Sequence, residues 1–77
     1  MTLYRNSSRQ SGVRAYEIGK DSIRVRFADG AVYDYTHSVT GRAEVEQMKR
    51  LAQAGQGLCT FISQHVGSRY AARRPPP

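Results

Sequence analysis

The chain has 77 residues, with twelve Lys and Arg against six Asp and Glu and a formal net charge of +6. A domain of this size buries only about 60% of the surface that its unfolded chain exposes, which excludes a second domain and a deep substrate cavity. Ten of the twelve basic residues are arginine, the side chain best suited to forked contacts with phosphate, so nucleic acid is the first partner class to consider.

Cysteine content and hydropathy indicate a cytoplasmic protein. Cys59 is the single cysteine of the sequence, which excludes the intrachain disulfides that small secreted domains usually need. No apolar run approaches the ~20 residues of a membrane span, and the first residues lack the apolar centre of a signal peptide. We therefore expect neither export nor membrane association.

Three segments are predicted to form antiparallel strands. Residues 13–18 contain β-branched and aromatic side chains, although their pattern leaves the facing of this strand ambiguous. Residues 23–27 alternate regularly, which places Arg24 and Arg26 on the face opposite the apolar side chains. Residues 31–36 follow an Asp-Gly pair, the strongest short-range signal of a β-hairpin.

The hairpin loop allows two registers. If residues 29–30 form a two-residue turn, Tyr33 and Tyr35 face the arginines of the preceding strand and form a solvent-exposed platform for bases. If residues 28–30 form a three-residue loop, both tyrosines face apolar residues and join the core. The second register is favoured, because it places Asp34 opposite an arginine whereas the first would bury its carboxylate.

Two helices are predicted after the strands. Residues 42–54 are good helix formers with one apolar stripe, and Thr40 is positioned to cap their N-terminus. Glu46 and Arg50 lie four residues apart and are expected to form an ion pair on the polar side. Residues 58–66 again show apolar side chains at helical spacing and predict a second, shorter helix.

Together these elements predict an α+β domain in which a three-stranded antiparallel β-meander is followed by two short α-helices packed on one face. Residues 1–11 are predicted to be a flexible N-terminal segment, and residues 12–70 the single domain. Residues 71–77 are predicted to be a disordered tail, because they are basic and rich in proline.

Three motifs occur along the chain in the order of these elements. They are Phe27-x-x-Gly30-x-Val32-Tyr33-x-Tyr35 at the hairpin, Gly57-Leu58-x-x-Phe61-Ile62-x-x-His65-Val66 in the second helix, and Arg69-Tyr70 after it. Over residues 11–70 the chain resembles the KTSC domain, a short bacterial domain with a central Tyr-x-Tyr motif that also occurs at the C-terminus of some lysyl-tRNA synthetases. The resemblance implies a domain of uncharacterised function, for which the association with these synthetases suggests RNA binding.

Arginines for phosphates and tyrosines for bases are the candidate binding residues. They are Arg24, Arg26, Tyr33, Tyr35, Arg69, Arg73 and Arg74. Under the favoured register the two tyrosines are half-buried core rings, so Arg24 and Arg26 are the stronger candidates. A solvated strand face and a solvated tail are the alternative interpretations of the arginines.

No arrangement of residues in the sequence predicts catalysis or a bound cofactor. His37, Cys59 and His65 lack the paired spacing of a zinc site, and no phosphate-binding loop or nucleophile elbow occurs. We therefore expect a non-catalytic module that binds nucleic acid, RNA more than DNA, with no cofactor, metal or small-molecule substrate. The alternative is a protein-interaction or homo-oligomerisation module, because a small sheet has exposed edges.

Overall fold

The computed structural model describes residues 1–5 and 12–76. These residues form an α+β structure with an antiparallel sheet of five strands in sequential order. The strands are β1 (Thr2–Leu3), β2 (Val13–Ile18), β3 (Ser22–Phe27), β4 (Val32–Thr36) and β5 (Ala72–Arg74). The helices are α1 (Arg42–Ala54) and α2 (Leu58–Phe61), and α2 continues directly as a π-helix over Ile62–Val66.

The prediction of three strands is wrong in number, since the sheet has five. Both additional strands come from the end segments for which we expected no regular structure. β1 pairs with β2 and β5 pairs with β4, so each extends one edge of the predicted meander. Residues 6–11, part of the predicted flexible segment, lie outside the described residues, as does Pro77.

The β3–β4 hairpin has the predicted three-residue loop, which confirms the favoured register. Val25 lies opposite Tyr33, and Ile23 lies opposite Tyr35. Gly30 has a φ of 93°, a conformation that side chains disfavour, and its amide donates a hydrogen bond of 2.9 Å to the carbonyl three residues earlier. This register turns both tyrosines toward the helices.

A β-bulge explains why the facing of β2 was ambiguous from its sequence. Val13 lies opposite Phe27, but Ala15 lies opposite Arg26, which leaves one extra residue between them on β2. The bulge shifts the alternation by one residue. Val13 and Tyr16 therefore share the face that packs on the helices, although an unbroken strand would put them on opposite faces.

The core lies between the helices and one face of the sheet. Its buried residues are Tyr4, Val13, Ile23, Val25, Tyr35, Val45, Met48, Ala52, Leu58, Ile62 and Val66. Among the described residues, no helix covers the other side of the sheet, which we call the open face. No helix of the described segments is long and apolar enough to cross a membrane.

The N-terminal segment is attached to this core by Tyr4, which is only 6% exposed. The Tyr4 hydroxyl accepts a hydrogen bond of 3.3 Å from the Leu58 amide at the start of α2. The backbone amide of Tyr4 donates a hydrogen bond of 2.9 Å to the Arg14 carbonyl, and the Arg5 guanidinium donates one of 2.7 Å to the Gln53 carbonyl. The first five residues therefore belong to the folded domain, because these contacts join them to both the sheet and the helices.

The predicted N-cap of α1 is wrong. Gly41 occupies that position, and no side chain of residues 1–5 or 12–76 caps the helix. Thr40 is instead buried, and its hydroxyl donates a hydrogen bond of 2.5 Å to the Arg69 carbonyl. The helix begins and ends at the predicted residues, with Gly55 in the left-handed conformation at its C-terminus.

The predicted pair between Glu46 and Arg50 is also absent from this described part of the chain. The Glu46 carboxylate instead lies 2.8 Å from Lys49 Nζ and 2.8 Å from His37 Nε2, while Arg50 donates to Gln47 Oε1. Hydrogen bonds from Lys49 and His37 lower the pKa of Glu46 to about 2 from its ordinary value of 4.5. Glu46 thus joins α1 to the loop after β4 rather than forming the expected pair along the helix.

Candidate functional site

Three of the predicted arginines lie on the open face of the sheet. Arg26 on β3 lies opposite Val32 on β4, which in turn lies opposite Arg74 on β5. Arg24 lies opposite Asp34 in the neighbouring row. Residues directly opposite each other on adjacent strands project on the same side of a sheet, so these residues form one surface. We call Arg24, Arg26 and Arg74 the arginine group.

Asp34 lies at the centre of the arginine group. Its Oδ1 is 2.7 Å from Arg24 Nε, and its Oδ2 is 3.5 Å from a terminal nitrogen of Arg74. The hydrogen bond to Asp34 raises the pKa of Arg24. Glu17 on β2 makes a longer contact with Arg24, at 3.9 Å. One carboxylate therefore orients two guanidinium groups and offsets part of their charge.

Arg26 differs from the other two members of the arginine group. Its side chain is exposed, and no acidic residue of the described segments forms an ion pair with it. The arginine group carries three positive charges, whereas Glu17 and Asp34 carry two negative charges, so the local charge of the open face is positive. Arg26 is therefore the member whose guanidinium is most available to an anion in solution.

The two tyrosines and Arg73 lie apart from the arginine group. Tyr35 is 1% exposed, and burial raises its pKa, so it is a neutral core ring with no accessible face. Tyr33 is half-buried on the helix side, where its hydroxyl accepts a hydrogen bond of 2.9 Å from Arg73 Nε. The guanidinium carbon of Arg73 lies 5.5 Å from the centre of the Tyr33 ring.

Arg69 belongs to neither group. Its guanidinium donates hydrogen bonds to the carbonyls of His65 and Val66, and it lies 3.7 Å from the Glu44 carboxylate. These contacts satisfy carbonyl groups at the end of the π-helix and tie it to α1. Of the seven predicted site residues, the structure thus brings three together on the open face and places Arg69 in a helix-terminating role.

Sequence reasoning missed the ring cluster around Tyr33. Phe27 lies edge-on to Tyr33 at 5.2 Å, and Tyr70 lies edge-on to it at 4.8 Å, both between ring centres. Phe27 was assigned to the core by its alternation, and Tyr70 follows the helices in a segment with no regular pattern. The pairing of β5 with β4 brings Arg73, and Tyr70 just before β5, back to the hairpin. No pattern in the sequence indicates this pairing, so the contact of Tyr70 with Tyr33 could not be predicted.

The remaining candidate ligands are dispersed. His65 is exposed, and its ring lies 4.9 Å from that of Phe61. Cys59 is half-buried with a free thiol. Within residues 1–5 and 12–76, no three or more His, Cys, Asp or Glu residues are grouped so that they could hold a metal ion.

No protein-family model, no curated protein and no solved structure matches the chain. The resemblance to the KTSC domain, noted from the motifs of the sequence, therefore stays a prediction.

Proposed function

We propose that the chain is a non-catalytic module that binds single-stranded nucleic acid, RNA before DNA, through the arginine group on the open face. The observation that carries this proposal is the row formed by Arg26, Val32 and Arg74 across three adjacent strands. Neighbouring β-strands are about 4.8 Å apart, so the backbones of Arg26 and Arg74 are roughly 10 Å apart. The two guanidinium groups can therefore contact phosphates of the same RNA molecule.

The charge of the whole chain supports the same partner. The formal net charge is +6, and ten of the twelve basic residues are arginine. Binding that depends on phosphate contacts releases counterions, so its affinity falls steeply as salt is added. A cavity that Arg24 and Asp34 line on the open face has a volume of only about 170 Å³, which suits an extended nucleic-acid strand lying across the face better than a small substrate.

The experiment is a titration of a fluorescent RNA of about ten nucleotides at about 50 and about 200 mM salt. Replacing Arg26→Gln together with Arg74→Gln removes two proposed phosphate contacts from the open face. We expect weaker binding and a salt dependence shallower by about 1.4 in log–log slope, since each contact to a single strand contributes about 0.7.

The matched control is Arg42→Gln together with Arg50→Gln on α1, which removes the same charge from two exposed residues of the helix side. We expect this pair to weaken binding much less than the open-face pair. Equal effects of the two pairs would show that only net charge matters. Absence of binding by the unmodified chain at low salt would overturn the proposal.

A second candidate function, protein association through the edge of the sheet, is favoured by β1. This edge strand has only two residues, and Leu3 on it is 73% exposed while the preceding Met1 is 50% exposed. Exposed apolar groups on an open edge favour pairing with another chain. Light scattering tests this function, since a dimer that Leu3→Lys converts to a monomer would support it.

The compartment that we propose is the cytoplasm of a bacterial cell. Cys59 carries a free thiol, as is usual for proteins kept in a reducing environment. The KTSC resemblance adds a bacterial source and an RNA partner to the same proposal. Catalytic activity, a cofactor and a small-molecule substrate have no part in it.

A further inference from the structure

A cleft opens on the helix side of the sheet, away from the arginine group. It lies between the hairpin loop and the segment that follows the π-helix, and its volume is about 660 Å³. Phe27, Asp29, Tyr33, Ile62 and Tyr70 are among the residues that line it. Small-molecule sites usually have volumes of roughly 300–1,000 Å³, so this cleft is large enough to hold one nucleotide.

The walls of the cleft are aromatic rings at right angles to one another. The ring planes of Phe27 and Tyr33 form an angle of 85°, and those of Tyr70 and Tyr33 form an angle of 82°. All three rings are half-buried, so part of each remains open to the cleft. A planar ring that enters the cleft can therefore stack on one wall while meeting the edge of another.

Two charged groups flank these rings. Arg73 is held near Tyr33 by the hydrogen bond to its hydroxyl, and Asp29 is held by a hydrogen bond of 2.9 Å from the Ala31 amide to its Oδ1. A guanidinium binds phosphate, while a carboxylate accepts hydrogen bonds from the amino or imino groups of a base. The two groups therefore offer one partner for a phosphate and one for a base.

Arg73 lies beside the cleft, against the Tyr33 ring, and there it favours an anionic group over a cation. Arg73 already places its guanidinium 5.5 Å from the centre of the Tyr33 ring, and its charge repels a second cation. The net charge of +6 also disfavours association of the cleft with another copy of the chain. A nucleotide brings both a flat ring and a negative charge, which these side chains complement.

The position of β5 connects the cleft with the open face. Successive residues of a strand project on opposite sides, and here Arg73 contacts Tyr33 on the helix side whereas Arg74 contacts Asp34 on the open face. We propose that the cleft takes one unpaired base of the strand bound across the open face, with the phosphate of that nucleotide on Arg73. This inference rests on the proposed function, which it extends from backbone binding to base binding.

The experiment compares a uridine oligonucleotide of about ten residues with the same backbone carrying abasic positions. Stacking of one base is expected to make the unmodified protein bind the base-bearing strand roughly 5- to 150-fold more tightly. Tyr70→Leu should remove most of this preference and leave the salt dependence unchanged. Tyr16→Leu is the matched control, because Tyr16 is also a half-buried tyrosine on the helix side but lies outside the cleft.

The outcomes separate this inference from the proposed function. If the uridine oligonucleotide and the abasic oligonucleotide bind equally well and with the expected salt dependence, the proposed binding of the phosphate backbone stands and the proposed base site is wrong. Equal losses in Tyr70→Leu and Tyr16→Leu would also overturn the base site. If neither strand binds at low salt, the proposed function fails, and uridine monophosphate then tests the cleft alone. Shifts of the Tyr33 and Tyr70 ring signals in NMR spectra would support the cleft as a nucleotide site, and their absence would overturn it.

A peptide ending in Arg-Arg-Pro-Pro-Pro serves as the competing ligand, because aromatic grooves also bind proline-rich segments. We expect it to leave the ring signals of the cleft unchanged. Shifts caused by this peptide and not by the nucleotide would assign the cleft to a second copy of the chain and overturn the proposal.

Discussion

Replacing Asp34→Asn should make the protein less stable and yet bind nucleic acid more tightly. Asp34 forms ion pairs with Arg24 at 2.7 Å and with Arg74 at 3.5 Å, and its side chain is 21% exposed. Ion pairs that reach solvent contribute about 0.2–1 kcal/mol each, so losing both should lower the free energy of unfolding by about 1 kcal/mol. Asparagine keeps the shape of the side chain and its place opposite Arg24 on β4.

The same substitution removes the carboxylate that competes with phosphate for two arginines. A unit charge about 4 Å from a phosphate is worth about 1 kcal/mol in water, which corresponds to a roughly fivefold gain in affinity at low salt. Arg24 then becomes free to contact a phosphate in addition to Arg26 and Arg74, so the salt dependence should steepen by about 0.7 in log–log slope. If Asp34 served only to stabilise the fold, Asp34→Asn would lower the affinity for RNA, because a less stable open face binds less well.

The assay is the fluorescent RNA titration, with urea unfolding measured in parallel. Glu44→Gln is the matched control, because it removes one negative charge from α1, where Glu44 lies 3.7 Å from Arg69. We expect little change in affinity for this control. If Asp34→Asn binds more weakly than the unmodified chain, the account of the open face is wrong, because the arginines would then need Asp34 to be oriented for binding.

Three further predictions concern the fold. Gly30→Ala should lower the free energy of unfolding by about 1–2 kcal/mol in urea titrations, because Gly30 has a φ of 93°; an unchanged stability would contradict the three-residue loop. Tyr4→Phe should cost about 1 kcal/mol by leaving the Leu58 amide without its 3.3 Å hydrogen bond, whereas no loss would mean that the N-terminal segment is not docked. The lowered pKa of Glu46, about 2 against 4.5, means that its stabilising effect is complete above pH 4.5 and is lost as the pH falls toward 2. The unfolding temperature of Glu46→Gln should accordingly change less with pH in this range than that of the unmodified chain. The same pH dependence in both proteins would contradict the stabilising role of the Glu46 carboxylate.

The register of the hairpin could be predicted because two local observations agreed. The Asp-Gly pair indicated a tight loop, and the cost of burying Asp34 decided between a two-residue and a three-residue loop. The structure places Asp34 opposite Arg24, as that argument requires. A charged residue in an otherwise apolar alternation is therefore informative about register, since a shift by one residue would move it into the core.

The two edge strands could not be predicted, because their pairing depends on distant parts of the chain. Thr2–Leu3 and Ala72–Arg74 are two and three residues long, too short for any alternation to be recognised. Arginine and alanine are also not strong strand formers. Their pairing instead follows from the neighbouring contacts of Tyr4 in the core and of Tyr70 and Arg73 with Tyr33.

The candidate site was predictable only in the part that alternation determines. Arg24 and Arg26 were placed correctly on the face away from the apolar residues, because β3 alternates without interruption. Arg69, Arg73 and Arg74 were all predicted to be phosphate contacts, but each has a different surrounding: a helix end, an aromatic ring and the open face. Their separation depends on where the chain turns after the π-helix, which no local pattern in the sequence encodes.

The most direct test of the proposed interface is a map of backbone amide shifts in NMR spectra as a short single-stranded RNA is added at low salt. The largest shifts are expected on β3, β4 and β5, around Arg26, Val32 and Arg74, with shifts around Tyr70 if a base enters the cleft. Each of these shifts should diminish as salt is raised. Shifts confined to α1, or the absence of any shift at low salt, would contradict the account.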